Sequence, residues 1–219
     1  MGAIVRLGDL SLGESLFFLG NDPFTGKPRI AQPVLDIGLA GAVLADLLFD
    51  ERIALQRGVV VLTSRYATGN AAADRTLALI MGEMDQHGVR DWVQHLQDKV
   101  TASLTLSLAE RRMVSPKENR TFLKRTILYP PADLRTASEP RARIRAAVLG
   151  RTSCDLPTAT LALLGWAIGL DDICEPDLPR RQFGEWTERV KSMIIEPIGT
   201  LITAVEAAVA ATVYGGNRH

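Results

Sequence analysis

Three histidines, two cysteines and one run of carboxylates are the residues of this 219-residue chain whose types could carry chemistry. His87 and His95 are separated by Gly88, which is expected to break any helix between them. A helical zinc site needs two histidines one turn apart, so solvent-exposed imidazoles are the simpler reading; His219 is terminal. Asp171, Asp172 and Glu175 follow an apolar stretch; carboxylates can hold a metal, but a polar loop is the simpler reading of them. Cys154 has Arg151 nearby, which could lower a thiol pKa, yet no histidine stands beside it. Cys154 and Cys174 make neither a disulfide framework nor a zinc spacing, so two buried thiols in a reducing cytoplasm are expected. The chain has no G-x-S-x-G, no P-loop and no G-x-G-x-x-G. None of this points to an enzyme, and no cofactor or metal is expected.

Met113–Tyr129 says more. Its turn and return leg set Phe122 and Leu123 between Arg120 and the pair Lys124-Arg125. Apolar residues flanked by cations suit an anionic bilayer surface, where each basic residue contributes about 1 kcal/mol that rising salt removes. The competing reading packs Phe122 and Leu123 on the protein's own core and leaves the cations merely hydrated.

The charge distribution bears on the same question. The formal net charge is zero, but residues 1–98 carry a balance of −4, residues 99–151 one of +8, and residues 152–219 again −4. A basic middle third suggests an anionic partner, while solvated helix faces and internal ion pairs are the alternative. A hydrophobic content of 47% with 23% charged residues is that of an ordinary soluble globular protein. The N-terminus lacks a charged region followed by an apolar core and cleavage site, so a cytoplasmic protein is expected.

The elements that must position these residues are read from periodicity. Val34–Phe49 is apolar on more than one helical face, which places it inside a bundle. Its Gly38 and Gly41 share one side and are expected to admit a neighbouring backbone. Ser11-Leu-Gly-Glu14 has the form of a capping box opening a first helix. Further helices are expected over 71–84, 89–98, 99–112, 141–149, 157–170, 180–195 and 198–214, with hairpins over 52–63 and 113–129. The expected fold is mainly α: one domain over residues 5–214, a multi-helix bundle of central apolar helices, amphipathic outer helices and one or two short β-hairpins.

Taken in order, these segments resemble the Golgi phosphoprotein 3 family, which also has bacterial members, notably in actinobacteria, and the chain looks like one of those. Leu10-Ser-Leu-Gly-Glu14 is similar to the family's L-T-L-x-E, and Leu35–Leu48 followed by Arg52-Ile53 to its Gly-Leu-x-Gly helix and Gly-Arg-Ile. Thr68-Gly69 with Asp74 resembles its P-T-G-D stretch, with Ala67 in place of the proline. Asp91-Trp92-Val93, Leu108–Val114 and Leu161–Leu164 resemble its later helices. The resemblance implies a mostly helical domain with a projecting hairpin. In eukaryotic members it implies a peripheral membrane adaptor that binds phosphatidylinositol 4-phosphate and the tails of Golgi glycosyltransferases.

Headgroup binding in those members uses a Trp, an Arg of the central helix and two Arg of the helix before the hairpin. The register puts Ala31, Ala40, Asp98 and Thr101 at these positions. All four are lost, and Asp98 would repel a phosphate. Arg29 and Lys99 lie beside lost positions and are expected to offer a weaker, non-stereospecific anion contact. Phe122 and Leu123 fall where the family has its apolar insertion residues, with Lys124 and Arg125 alongside. The expected function is a non-enzymatic adaptor, peripheral on the inner face of the membrane, contacting anionic phospholipid or phosphoinositide headgroups and protein clients. Self-association is expected through the hairpin. The alternative is a soluble self-associating scaffold without lipid binding. A nucleic-acid role for the basic helix 141–151 has the charge but no motif.

Overall fold

The computed structural model of the chain describes residues 10–120, 125–173, 178–194 and 196–215. These contain eight helices, α1 (Leu12–Gly20), α2 (Gln32–Phe49), α3 (Ala71–Gly82), α4 (Val89–Glu110), α5 (Leu134–Val148), α6 (Leu156–Ala167), α7 (Arg180–Met193) and α8 (Ile198–Gly215). Two antiparallel hairpins join them, β1 (Ile53–Gln56) with β2 (Val59–Leu62), and β3 (Lys117–Arg120) with β4 (Arg125–Leu128). The mainly α fold with small hairpins is the one expected from periodicity.

Helix α2 is the centre. It packs against α1, α3, α4, α6 and α8, and every residue from Leu35 to Leu48 is buried. By length and composition it could cross a membrane, but 83% of it is covered by the rest of the protein. A helix apolar most of the way round must be covered on most sides, and here other helices do it. Gly38 and Gly41 admit side chains rather than a backbone. A Cβ at Gly38 would lie 2.7 Å from Ile168, and one at Gly41 would lie 2.5 Å from Val205, so each glycine serves a different neighbour.

Helix α1 begins as the capping box requires. The Glu14 amide donates to Ser11 Oγ at 3.2 Å and the Ser11 amide to Glu14 Oε2 at 3.1 Å. Two boundaries differ most from expectation. Helix α4 runs unbroken from Val89 to Glu110. The reason is a continuous buried stripe, Trp92, Leu96, Val100, Leu104 and Leu108, with no breaker at Asp98-Lys99. Helix α5 starts at Leu134, earlier than its basic half suggested. Asp133 caps it, accepting from the amides of Arg135 (3.1 Å) and Thr136 (3.4 Å), and Pro140 lies inside the helix, in its second turn, with no amide proton to donate to the preceding turn.

The β1–β2 turn places Arg57 and Gly58 at φ of 54° and 80°, the left-handed pair a two-residue hairpin favours. The second hairpin is fastened at its base: Ser115 donates to the Pro130 carbonyl and Ala132 to that of Met113, both at 2.8 Å. Beyond that base its strands are largely exposed.

Candidate functional site

An open groove of about 720 Å³ runs beside this hairpin. One side comes from the α1–α2 loop (Lys27, Pro28, Ile30), the floor from α1 and α2 (Phe17, Leu35, Leu39), and the far walls from α4 and β4. The loop meets the hairpin because Gly26, at φ 69°, presses on its backbone. A Cβ there would be 2.4 Å from the Pro130 nitrogen.

The polar side of the groove is acidic. Asp36, only 7% exposed, accepts from Thr101 Oγ1 at 2.6 Å and from Gln32 Nε2 at 2.7 Å. Burial pushes its carboxyl above the usual range, the two hydrogen bonds pull the other way, and the Asp98 charge adds to the rise. Asp98 itself lines the groove, and Lys27 is the sole cation among the described lining residues. A negative charge about 5 Å from either carboxylate would be opposed by roughly 3 kcal/mol at an effective dielectric of about 20, less for the exposed Asp98.

The residues singled out in the sequence are distributed around this groove rather than gathered in it. Arg29 turns away to an ion pair with Asp172, beyond the end of α6. Lys99 faces His95 on the surface of α4, with its Nζ 2.7 Å from Nε2. Neither contributes to the groove lining. Ala40 is fully buried in the bundle and Ala31 is the exposed cap of α2, whereas Asp98 and Thr101 do reach the groove. Arg125 is exposed at the tip end of β4 and shares Glu118 with Arg120, at 2.8 Å and 3.1 Å. Phe122, Leu123 and Lys124 lie outside the described residues. Asp36 was missed as a site residue. Its one signal was a carboxylate interrupting an otherwise apolar helix, one turn after Gln32.

The other chemical candidates resolve locally. His87 and His95 flank the Trp92 ring edge-on, with centroids 5.9 Å and 5.7 Å away, and no cluster among the described residues could hold a metal ion. Asp171 pairs with Arg180. Cys154 corrects the expectation of a buried thiol: it is exposed, in the connection between α5 and α6. Local desolvation and then the Asp155 carboxylate push its thiol up, opposite to the lowering expected from Arg151. Cys174 and Glu175 lie outside the described residues. On α5, Arg143 pairs with Glu139 at 2.9 Å, and Arg141, Arg143 and Arg145 are half-buried.

A second, smaller cavity of about 260 Å³ sits where the sequence motifs converge. Ser11 and Glu14 of α1, Asp46 of α2, Asn70 before α3 and Arg111 after α4 all line it. Glu14, 1% exposed, is paired with Arg111 and accepts from Asn70 at 3.4 Å. Asp46 accepts from the Leu12 and Gly13 amides at 2.8 Å and 3.1 Å, closing the first turn of α1. Burial outweighs these donors and, with Glu14 adding to it, holds the Asp46 carboxyl up at about 7. Nearby, Asp74 accepts from the Thr68 amide at 2.6 Å and the Thr68 hydroxyl at 2.8 Å, which is the work of the Thr68-Gly69…Asp74 motif.

These motifs, weak one by one, are thus physically joined at one place. No curated protein matches the chain. The family model for Golgi phosphoprotein 3 (GPP34) matches residues 12–212, from the first residue of α1 to the last turns of α8, and the chain belongs to that family.

Proposed function

We propose that the chain is a non-enzymatic peripheral membrane adaptor that docks on anionic bilayers through the β3–β4 hairpin, without stereospecific recognition of a phosphoinositide headgroup. The observation that carries this reading is the hairpin itself. Lys117, Arg120, Arg125 and the 56%-exposed Ile127 stand out from the helical body, with Glu118 the single acidic residue on its described strands. Ile127 lies opposite Glu118, which Arg120 and Arg125 both pair with, and with Lys117 the described strands keep a net positive charge that matches the chemistry of an anionic interface. The groove supports the second half of the reading, because two carboxylates and one lysine repel a phosphate more than they hold it.

Co-sedimentation with vesicles of graded phosphatidylserine content tests it. Binding should rise with anionic lipid and fall with salt. Phosphatidylinositol 4-phosphate should give no advantage at matched charge. Equal, negligible binding to neutral and anionic vesicles would sink the proposal.

A soluble scaffold is the second reading. Among the described residues β3 and β4 pair only with each other, so both edges can accept a strand from another copy. Deleting Lys117–Ile127 and measuring mass in solution separates the two. Loss of an oligomer with unchanged vesicle binding favours the scaffold.

A further inference from the structure

Phe24 is 74% exposed, although the loop that carries it is firmly held. Asp22 Oδ1 accepts from the amides of Phe24 (3.1 Å) and Thr25 (2.7 Å) and from the Thr25 hydroxyl (2.7 Å). The Asp22 amide donates to the Lys27 carbonyl and the Gly26 amide to the Asp22 carbonyl, both at 2.8 Å. An isolated bridge between Asn21 and Pro28 closes the loop, and Gly26 wedges it against the Tyr129–Pro130 backbone. The backbone that carries the ring is therefore fixed, and the ring stands exposed from it.

The position of the loop gives the ring a use. Gly26, Lys27 and Pro28 of the loop and Ile127 of the hairpin line the same groove, so the loop that carries Phe24 and the hairpin that carries Ile127 border one opening. Exposed Lys27 accompanies the ring, and Lys117, Arg120 and Arg125 accompany the isoleucine. The Asp22 carboxylate, kept ionised by its own loop's donors, stands on the same loop, and Lys27 offsets its charge there. An aromatic ring beside a cation, on a rigid support continuous with a basic hairpin, fits the interfacial layer of an anionic bilayer.

We propose that the 22–28 loop is a second membrane-contact element, with Phe24 entering the bilayer interface alongside the β3–β4 hairpin. This rests on the membrane reading above and adds a residue to it. The hairpin supplies most of the charge, while Phe24 supplies apolar anchorage that salt does not screen.

The experiment uses the full chain, as wild type, Phe24→Ala and Phe24→Trp, with vesicles of phosphatidylcholine and phosphatidylglycerol in equal parts. Phe24→Ala should weaken partitioning about tenfold, and the deficit should persist at high salt. Phe24→Trp should bind like wild type and show fluorescence quenching by brominated lipid above that of the native tryptophans. If wild type binds, Phe24→Ala matches it and Trp fluorescence gains no quenching, the loop is not a membrane element and the hairpin reading stands alone. If wild type fails to bind, both readings fall. If Phe24→Ala instead lowers the mass in solution and leaves vesicle binding intact, the loop contacts protein and the proposal is overturned. Phe24 makes no core contact, so both variants should fold, which circular dichroism checks.

Discussion

Helix α2 carries two buried aspartates, and they do opposite work. Asp46 faces the small cavity where α1, α2, α3 and α4 meet, and its oxygens accept from two backbone amides, with the Ser11 side chain a lesser donor. Asp36 faces the open groove and is held by side chains alone, Gln32 and Thr101. Burial raises the carboxyl pKa of both. The difference lies in the donors. A backbone amide at the start of a helix has no other partner, so the carboxylate that satisfies it is part of the fold. A glutamine or threonine on an open wall can turn to water, so the carboxylate it holds is free to define the surface. The same residue type, two and three-quarter turns along one helix by about 3.6 residues per turn, closes the fold at one end and sets the sign of a groove at the other.

The largest effect that tests this contrast is expected for Asp46→Ala. It should lower unfolding stability in urea by about 3 kcal/mol, because two buried amides lose their acceptor and a cavity remains. A loss below about 1 kcal/mol would mean that water replaces the carboxylate and the contrast is overstated.

The pH profile sharpens the same point. An acid held at about 7 when folded, against 3.8 otherwise, binds its proton more tightly in the native state. Its contribution to stability is complete below about 4, declines as pH rises to about 7, and then stays lost. Wild type should therefore lose more stability than Asp46→Asn between those limits in urea melts. Equal slopes would place the Asp46 carboxyl near its ordinary value. Asp36, also raised, is expected to leave a shallower decline of the same sign in the variant.

Arg111→Ala should come next, at about 1.5 kcal/mol by thermal or urea melting. It strips the buried Glu14 of its cation, but the Arg111 side chain is 43% exposed and water can enter behind it. A loss as large as that of Asp46→Ala would show that the ion pair, not the amide cap, holds the small cavity together.

The smallest stability effect belongs to the groove. Asp36→Asn should change stability by less than about 1 kcal/mol while raising affinity for anionic vesicles a few-fold, since one repelling charge is gone. Destabilisation comparable to Asp46→Ala would erase the distinction between the two ends of α2.

Much of the architecture was legible in advance. The capping box at Ser11–Glu14, the all-round apolar character of α2 and the short hairpin over 52–63 each follow from local rules. Where reading by segments failed, a longer pattern was overlooked. The α4 stripe continues through Asp98-Lys99, and Asp133 caps α5 a full turn and more before its basic half. The site was less legible. Arg29 and Lys99 are near the right places in sequence, but a side chain's direction depends on partners elsewhere. Asp172 draws Arg29 away, and the turn of α4 carries Lys99 to His95.

The sequence by itself determined the family and the helical bundle, because periodicity, caps and motif order are local and repeat along the chain. Only the tertiary structure decided the sign of the groove and the function of each aspartate. Those depend on which donors and charges from distant segments meet in low dielectric, and the linear order of residues does not specify such meetings.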